Sequence, residues 1–126
     1  MQRQTAKRLH DAAVACGEAR RFCAATTREH FLQDRVLQLA VQKLIEIVGE
    51  ALRQAEASDQ EAMQAIPELR VVVNTRNRLV HGYDTVDYGA LWDIVQRHVP
   101  DLEQRLGRLL ADAPPSSFAN DPDAPS

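Results

Sequence analysis

The chain lacks most of the features that settle a function by inspection. It has two cysteines in 126 residues, Cys16 and Cys23. They sit seven apart on a predicted helix, sharing a face but too distant for a disulfide. They read as buried thiols of a protein in a reducing cytoplasm. No apolar run nears the roughly 20 residues that span a bilayer. No apolar stretch follows the basic residues at the N-terminus either, so neither membrane insertion nor secretion is expected. There is no glycine-rich phosphate loop. His10, His30 and His98 are scattered without ligand spacing to cysteines or carboxylates, so no metal or other cofactor is expected. Strand-type alternation is almost missing as well, which leaves an all-α chain.

Charge is informative only when it is divided by region. The net charge is −3, from 15 basic and 18 acidic residues. Three of those acids, Asp112, Asp121 and Asp123, fall in residues 112–126, which hold no base. The remainder is neutral, and between Leu69 and Tyr83 it is locally basic, with Arg70, Arg76 and Arg78 and no acid. A small electropositive site on a neutral body suits a small anion or a short single strand of RNA better than a long duplex.

Apolar periodicity lays out one domain over residues 1–111 and a flexible acidic tail over 112–126, rich in Pro, Ser, Asn and Asp. A first helix is expected from Arg3 to Ala24, with a stripe of mostly small residues. The longest helix starts at Arg28 or Asp34 and runs to Ala57, its apolar stripe including Val36, Val41, Leu44, Ile47, Val48 and Leu52. Gly49 interrupts this helix at a cost of about 1 kcal/mol against alanine, which points to close approach by another helix. A short helix over Gln60–Ile66 and a helix from Glu68 to His81 follow, the latter stopped by Gly82. A last helix, kinked or restarted at Pro100, completes a bundle of four main helices plus a short one. Phe31 and Trp92 lie on apolar stripes and belong to the core. Glu46 and Glu50, four apart with no histidine partner, read as a solvated face.

The chemistry is concentrated in Thr75-Arg76-Asn77-Arg78-Leu79-Val80-His81-Gly82-Tyr83. His81 can take and give a proton near neutral pH. Arg76 and Arg78 offer planar, permanently charged forks that fit a phosphate or a phosphorane. Asn77, four residues before His81, shares its face. Such a set could cleave RNA without a metal: the base deprotonates a 2′-hydroxyl, which attacks the adjacent phosphate while arginine stabilises the developing charge. Geometry resists this, since Arg76 and His81 lie about 140° apart around an ideal helix. Release of His81 at a helix end, together with a second subunit that completes the site, would remove the difficulty. Judged on spacing alone, a helix-end histidine beside the negative pole of the dipole is the plainer reading of His81, and Tyr83 reads as a packing residue.

With its flanks, the segment resembles the HepT-like family, the minimal HEPN-domain proteins of bacterial toxin–antitoxin pairs. The likeness runs through Arg76-Asn77-Arg78-Leu79-Val80-His81-Gly82-Tyr83, Val48-Gly49-Glu50-Ala51, Ile66-Pro67-Glu68, Tyr83-Asp84-Thr85-Val86-Asp87, Leu91-Trp92-Asp93-Ile94-Val95 and Val99-Pro100-Asp101-Leu102. It covers residues 3–111. The resemblance implies a HEPN-type bundle forming a symmetric homodimer, with two motifs meeting in a cleft. It implies a metal-independent endoribonuclease toxin of a type VII system that leaves 2′,3′-cyclic phosphate ends. Arg76 and His81 would be the catalytic pair, Asn77 their polar helper, and Arg78 and Arg70 contacts to RNA. Tyr83 matches the position to which a partner, the MNT-type nucleotidyltransferase antitoxin, transfers AMP. The alternative is a non-catalytic helical subunit that helps such a nucleotidyltransferase bind nucleotide.

Overall fold

A computed structural model describes residues 1–81 and 85–112, with the backbone alone at His81. Seven helices and no strand occur among the described residues: α1 Arg3–Ala24, α2 Arg28–Phe31, α3 Arg35–Ser58, α4 Gln60–Met63, α5 Leu69–His81, α6 Tyr88–Arg97 and α7 Val99–Asp112. Local side chains set the starts of four of them. Thr27 Oγ1 accepts the His30 amide at 3.2 Å, and Asp34 Oδ1 accepts that of Leu37 at 3.0 Å. Asp59 and Asp87 cap α4 and α6 in the same way, through Ala62 and Ala90. Each satisfies an amide that the first helical turn leaves open.

The long helices α1 and α3 lie against each other, and α5 packs on α3 and α7 on α1. On α1 the buried residues are Thr5, Ala6, Leu9, Ala12, Ala15, Cys16, Gly17, Ala19 and Cys23. This narrow face of small side chains admits the larger Val41, Leu44, Ile45, Val48 and Leu52 of α3 into one core. Burial pushes the Cys16 and Cys23 thiols up, to about 12 and about 11. Phe31 of the single-turn α2 is fully buried and meets Trp92 at 5.3 Å between ring centroids, so α2 and α6 close one end of the core. Ion pairs tie α7 in: Arg20 of α1 with Glu103 at 2.6 Å, and Arg105 with Glu68 at 3.2 Å.

The structure departs from the sequence expectation in several places; the short helix expected over Gln60–Ile66 is the single turn α4, Gln60–Met63. The last helix is two helices, α6 and α7, separated at His98, which makes five long helices and two single turns. Pro100 falls in the first turn of α7, where a missing amide hydrogen is harmless. On α3 the apolar stripe is broader than the core it serves: Val36 is 79% exposed, with Leu39 and Ile47 also exposed. Apart from Asp112, which ends α7, the expected tail lies outside the described residues, as does the expected stop at Gly82.

Candidate functional site

Helix α5 carries the motif segment, and its regular geometry orders the side chains around one axis. At about 100° per residue, Arg76, Val80, Asn77 and His81 succeed one another over roughly 140°, and Arg78 lies about 60° beyond His81. Thr75 is buried, its hydroxyl donating to the Val71 carbonyl at 2.7 Å, so this face turns inward. The His81 backbone ends α5, while its side chain, Gly82 and Tyr83 lie outside the described residues.

The root of Arg76 rests on α3. A Cβ added to Gly49 would stand 2.2 Å from Arg76 Cβ and 2.7 Å from its Cγ. The mid-helix glycine therefore marks close approach by another helix, as its cost in α3 suggested. The head of Arg76 is held at two points. Its Nη2 pairs with Glu50 Oε2 at 3.0 Å, and its Nη1 donates to Asn77 Oδ1 at 3.1 Å. Its Nε is buried and has no partner among the described residues; an unpaired donor of that kind costs about 1–3 kcal/mol. Asn77 lies only about 40° from His81 around the helix. The guanidinium thus reaches from its own position toward the face that His81 occupies, which narrows the angular gap.

Glu50 is held in turn. Its carboxylate accepts from Arg53 Nη2 at 2.7 Å, Arg53 Nε at 3.0 Å and Gln54 Nε2 at 2.8 Å. Hydrogen bonds from Arg53 and then Gln54, aided by the charge of Arg76, outweigh desolvation and bring its pKa down from 4.5 to about 2. Because the folded value lies below the ordinary one, the stability Glu50 adds is complete above 4.5 and disappears as pH falls toward 2. Glu50→Gln is expected to show a shallower loss of Tm across that window than the parent chain, read by circular dichroism melts. Reading this residue as part of a solvated face did not show its ion pair with α5. Its partner is far away in sequence, and the only local clue was its position beside Gly49.

Arg76 and Glu50 open onto a cleft of about 360 Å³ between α1, α3 and α5. It is lined by Arg8 and Asp11 of α1, by Lys43, Glu46, Ile47, Glu50, Ala51 and Gln54 of α3, and by Arg76 and Val80 of α5. Arg78 lies elsewhere. It is exposed at a second cavity of about 140 Å³ between α5 and α6, with Thr75, Leu79, Thr85, Asp87 and Ile94. The two arginines therefore flank the position of His81 from different clefts. Arg70 is not brought to either: it is exposed, pairs with Glu56, and precedes His81 by about 16 Å along the helix. Among the described residues, no three His, Cys, Asp or Glu side chains converge as a metal site, and no helix is long and apolar enough to cross a membrane.

The described residues define an all-α bundle in which a cleft of mixed charge, with Arg76 in its lining, borders the helix that ends at His81. The chain belongs to the ribonuclease HepT-like family, which it matches over residues 12–109. It is similar to a "Probable ribonuclease HepT" of Thermococcus cleftensis, with 31% identity over 109 residues, covering 86% of this chain and 98% of the relative. A candidate RNase of Methanocaldococcus jannaschii, MJ1380, is 29% identical over 98 residues, covering 78% of this chain and 89% of the relative. A candidate RNase of Caldanaerobacter subterraneus subsp. tengcongensis, TTE0752, is 29% identical over 82 residues, covering 65% and 72%. No solved structure matches the chain.

Proposed function

We propose that this chain is a metal-independent endoribonuclease, the toxin of a toxin–antitoxin pair, working as a symmetric homodimer. The observation that carries the reading is Arg76, held by Glu50 and Asn77 on the face of α5 that leads to His81, in a chain of the ribonuclease HepT-like family. His81 removes the proton of a 2′-hydroxyl, and the freed oxygen attacks the neighbouring phosphorus. Arg76 stabilises the phosphorane charge. The bond to the 5′-oxygen breaks, that oxygen is protonated by an imidazolium, and the products carry a 2′,3′-cyclic phosphate and a 5′-hydroxyl. Asn77 keeps the arginine head in place, Arg78 grips a flanking phosphate from its own cleft, and Arg70 meets only RNA that extends along α5.

Pairing of two copies across the Arg76 cleft brings in a second His81 and removes the remaining angular offset. Two partly exposed apolar side chains, Ile47 and Val80, line that cleft and support such a contact. Tyr83, two residues after His81, is the point at which a cognate MNT-type nucleotidyltransferase adds AMP. The added charge and bulk exclude RNA phosphate from the same site.

The purified chain is expected to cut RNA in the presence of EDTA, and His81→Ala to leave no cleavage above background. A chain that binds nucleotides yet leaves RNA intact would instead be a non-catalytic partner of a nucleotidyltransferase. Co-expression with the nucleotidyltransferase should raise the intact mass by AMP-sized steps, and Tyr83→Phe should abolish them. An unchanged mass in the parent chain, or steps that persist in Tyr83→Phe, would remove Tyr83 from the account.

A further inference from the structure

We infer that Glu50 is a positioning residue for Arg76, fixing the head of the arginine as Gly49 fixes its root. This deepens the ribonuclease reading and rests on it. Two consecutive residues of α3 act on one side chain of α5. Gly49 lets Arg76 Cβ and Cγ lie directly against the α3 backbone, while the Glu50 carboxylate takes Nη2 at 3.0 Å. Glu50 is itself immobilised from its own helix by Arg53 and Gln54, so it offers a fixed anion. A partly exposed ion pair of this kind adds little to stability, and among the described residues the arrangement leaves Arg76 Nε buried and unpaired. A contact made only to hold the helices together would gain by satisfying that donor.

The geometry serves orientation instead. With Nη2 paired to Glu50 and one Nη1 hydrogen given to Asn77, the guanidinium is held at two points and keeps Nη hydrogens to donate. They can then meet a phosphorane without first reorganising a long, flexible stem. The fixed anion also keeps Arg76 from pairing too tightly with the ground-state phosphate, which would lower KM without raising kcat.

The test is steady-state cleavage of a short single-stranded RNA by the full chain, with Glu50→Ala, Glu50→Gln, Arg76→Lys and Arg76→Lys/Glu50→Ala. Glu50→Ala is expected to lower kcat by roughly tenfold with KM unchanged or lower, and Glu50→Gln, which keeps an acceptor oxygen, to recover part of it. Once lysine replaces the fork, adding Glu50→Ala should cost little more. Additive losses in the double variant, or a kcat loss matched by an equal loss of folded chain, would overturn the proposal. Nitrogen-15 NMR of the Arg76 guanidinium gives a readout independent of cleavage: slow rotation about its Cζ–Nη bonds in the parent chain and fast rotation in Glu50→Ala. Fast rotation in both removes Glu50 from the role. A chain that cuts no RNA but shows the NMR difference would overturn the ribonuclease reading while keeping Glu50 as the residue that orients Arg76.

Discussion

Arg76→Ala is expected to reduce RNA cleavage by at least about a hundredfold, the scale seen when a preorganised donor to a developing negative charge is removed. The fold should hardly notice. Arg76 is 21% exposed in its side chain, and a pair of that kind contributes at most about 1 kcal/mol. Glu50 keeps Arg53 and Gln54 as partners, so its carboxylate is not stranded. Removal of Arg76 also removes a buried donor that has no acceptor among the described residues. The melting temperature should therefore shift by a few degrees at most while kcat collapses. Arg78→Ala provides the contrast. That side chain is exposed at a different cleft, so its loss should raise KM several-fold and lessen the salt dependence of binding by about one phosphate contact. A larger kcat loss from Arg78→Ala than from Arg76→Ala would reverse the two roles.

How well each element could be read from sequence follows from where its determinants lie. The extents of α1 and α3 come from local signals: a small-residue stripe from Ala6 to Cys23, and an aspartate cap at Asp34 before a long apolar repeat. The division at His98 was half visible, because Pro100 shows that a helix must bend or begin nearby but not which. The exposure of Val36 was invisible, since the periodicity counts it with the stripe and only the absence of a neighbour across from it leaves it uncovered. Arg76, Asn77 and Arg78 were legible as a chemical cluster. Their division between two clefts was not, because it depends on which helix packs on each side of α5. The ion pair of Glu50 with Arg76 was hidden for the same reason. Glu50 forms with Arg53 and Gln54 the i+3 and i+4 pairs of any solvated helix, and its third donor comes from a residue twenty-six positions on. Gly49 was the available signal. A helix that approaches closely enough to require glycine at 49 brings its side chains near the neighbouring turn of α3, where Glu50 meets Arg76.

That close approach makes Gly49→Ala the other change with a large expected effect. The new methyl would lie 2.2 Å from Arg76 Cβ, 2.7 Å from Cγ and 3.2 Å from the Val72 carbonyl oxygen. Carbon atoms pack best at about 3.5–4.0 Å, so α5 must move off α3 by more than an ångström, and no flexible side-chain tip is available to yield instead. Overpacking of this kind costs about 1–3 kcal/mol. Alanine returns up to about 1 kcal/mol of helix propensity, so the net loss of stability is modest, with Tm falling by roughly 4–8 °C for each kcal/mol that remains. Activity should suffer more than stability. The displacement acts on the stem of Arg76, and a misplacement of about 1 Å at a catalytic group can cost on the order of a hundredfold. Cleavage measured well below the variant's Tm, where almost every molecule is folded, should still be reduced more than tenfold. Gly107→Ala is the matched control: it too lies within a helix, but a Cβ there meets none of the described residues within 4 Å. That variant should gain up to about 1 kcal/mol and cleave RNA at the parent rate. If Gly49→Ala melts lower but cleaves normally once folded, the contact between α3 and Arg76 serves packing alone.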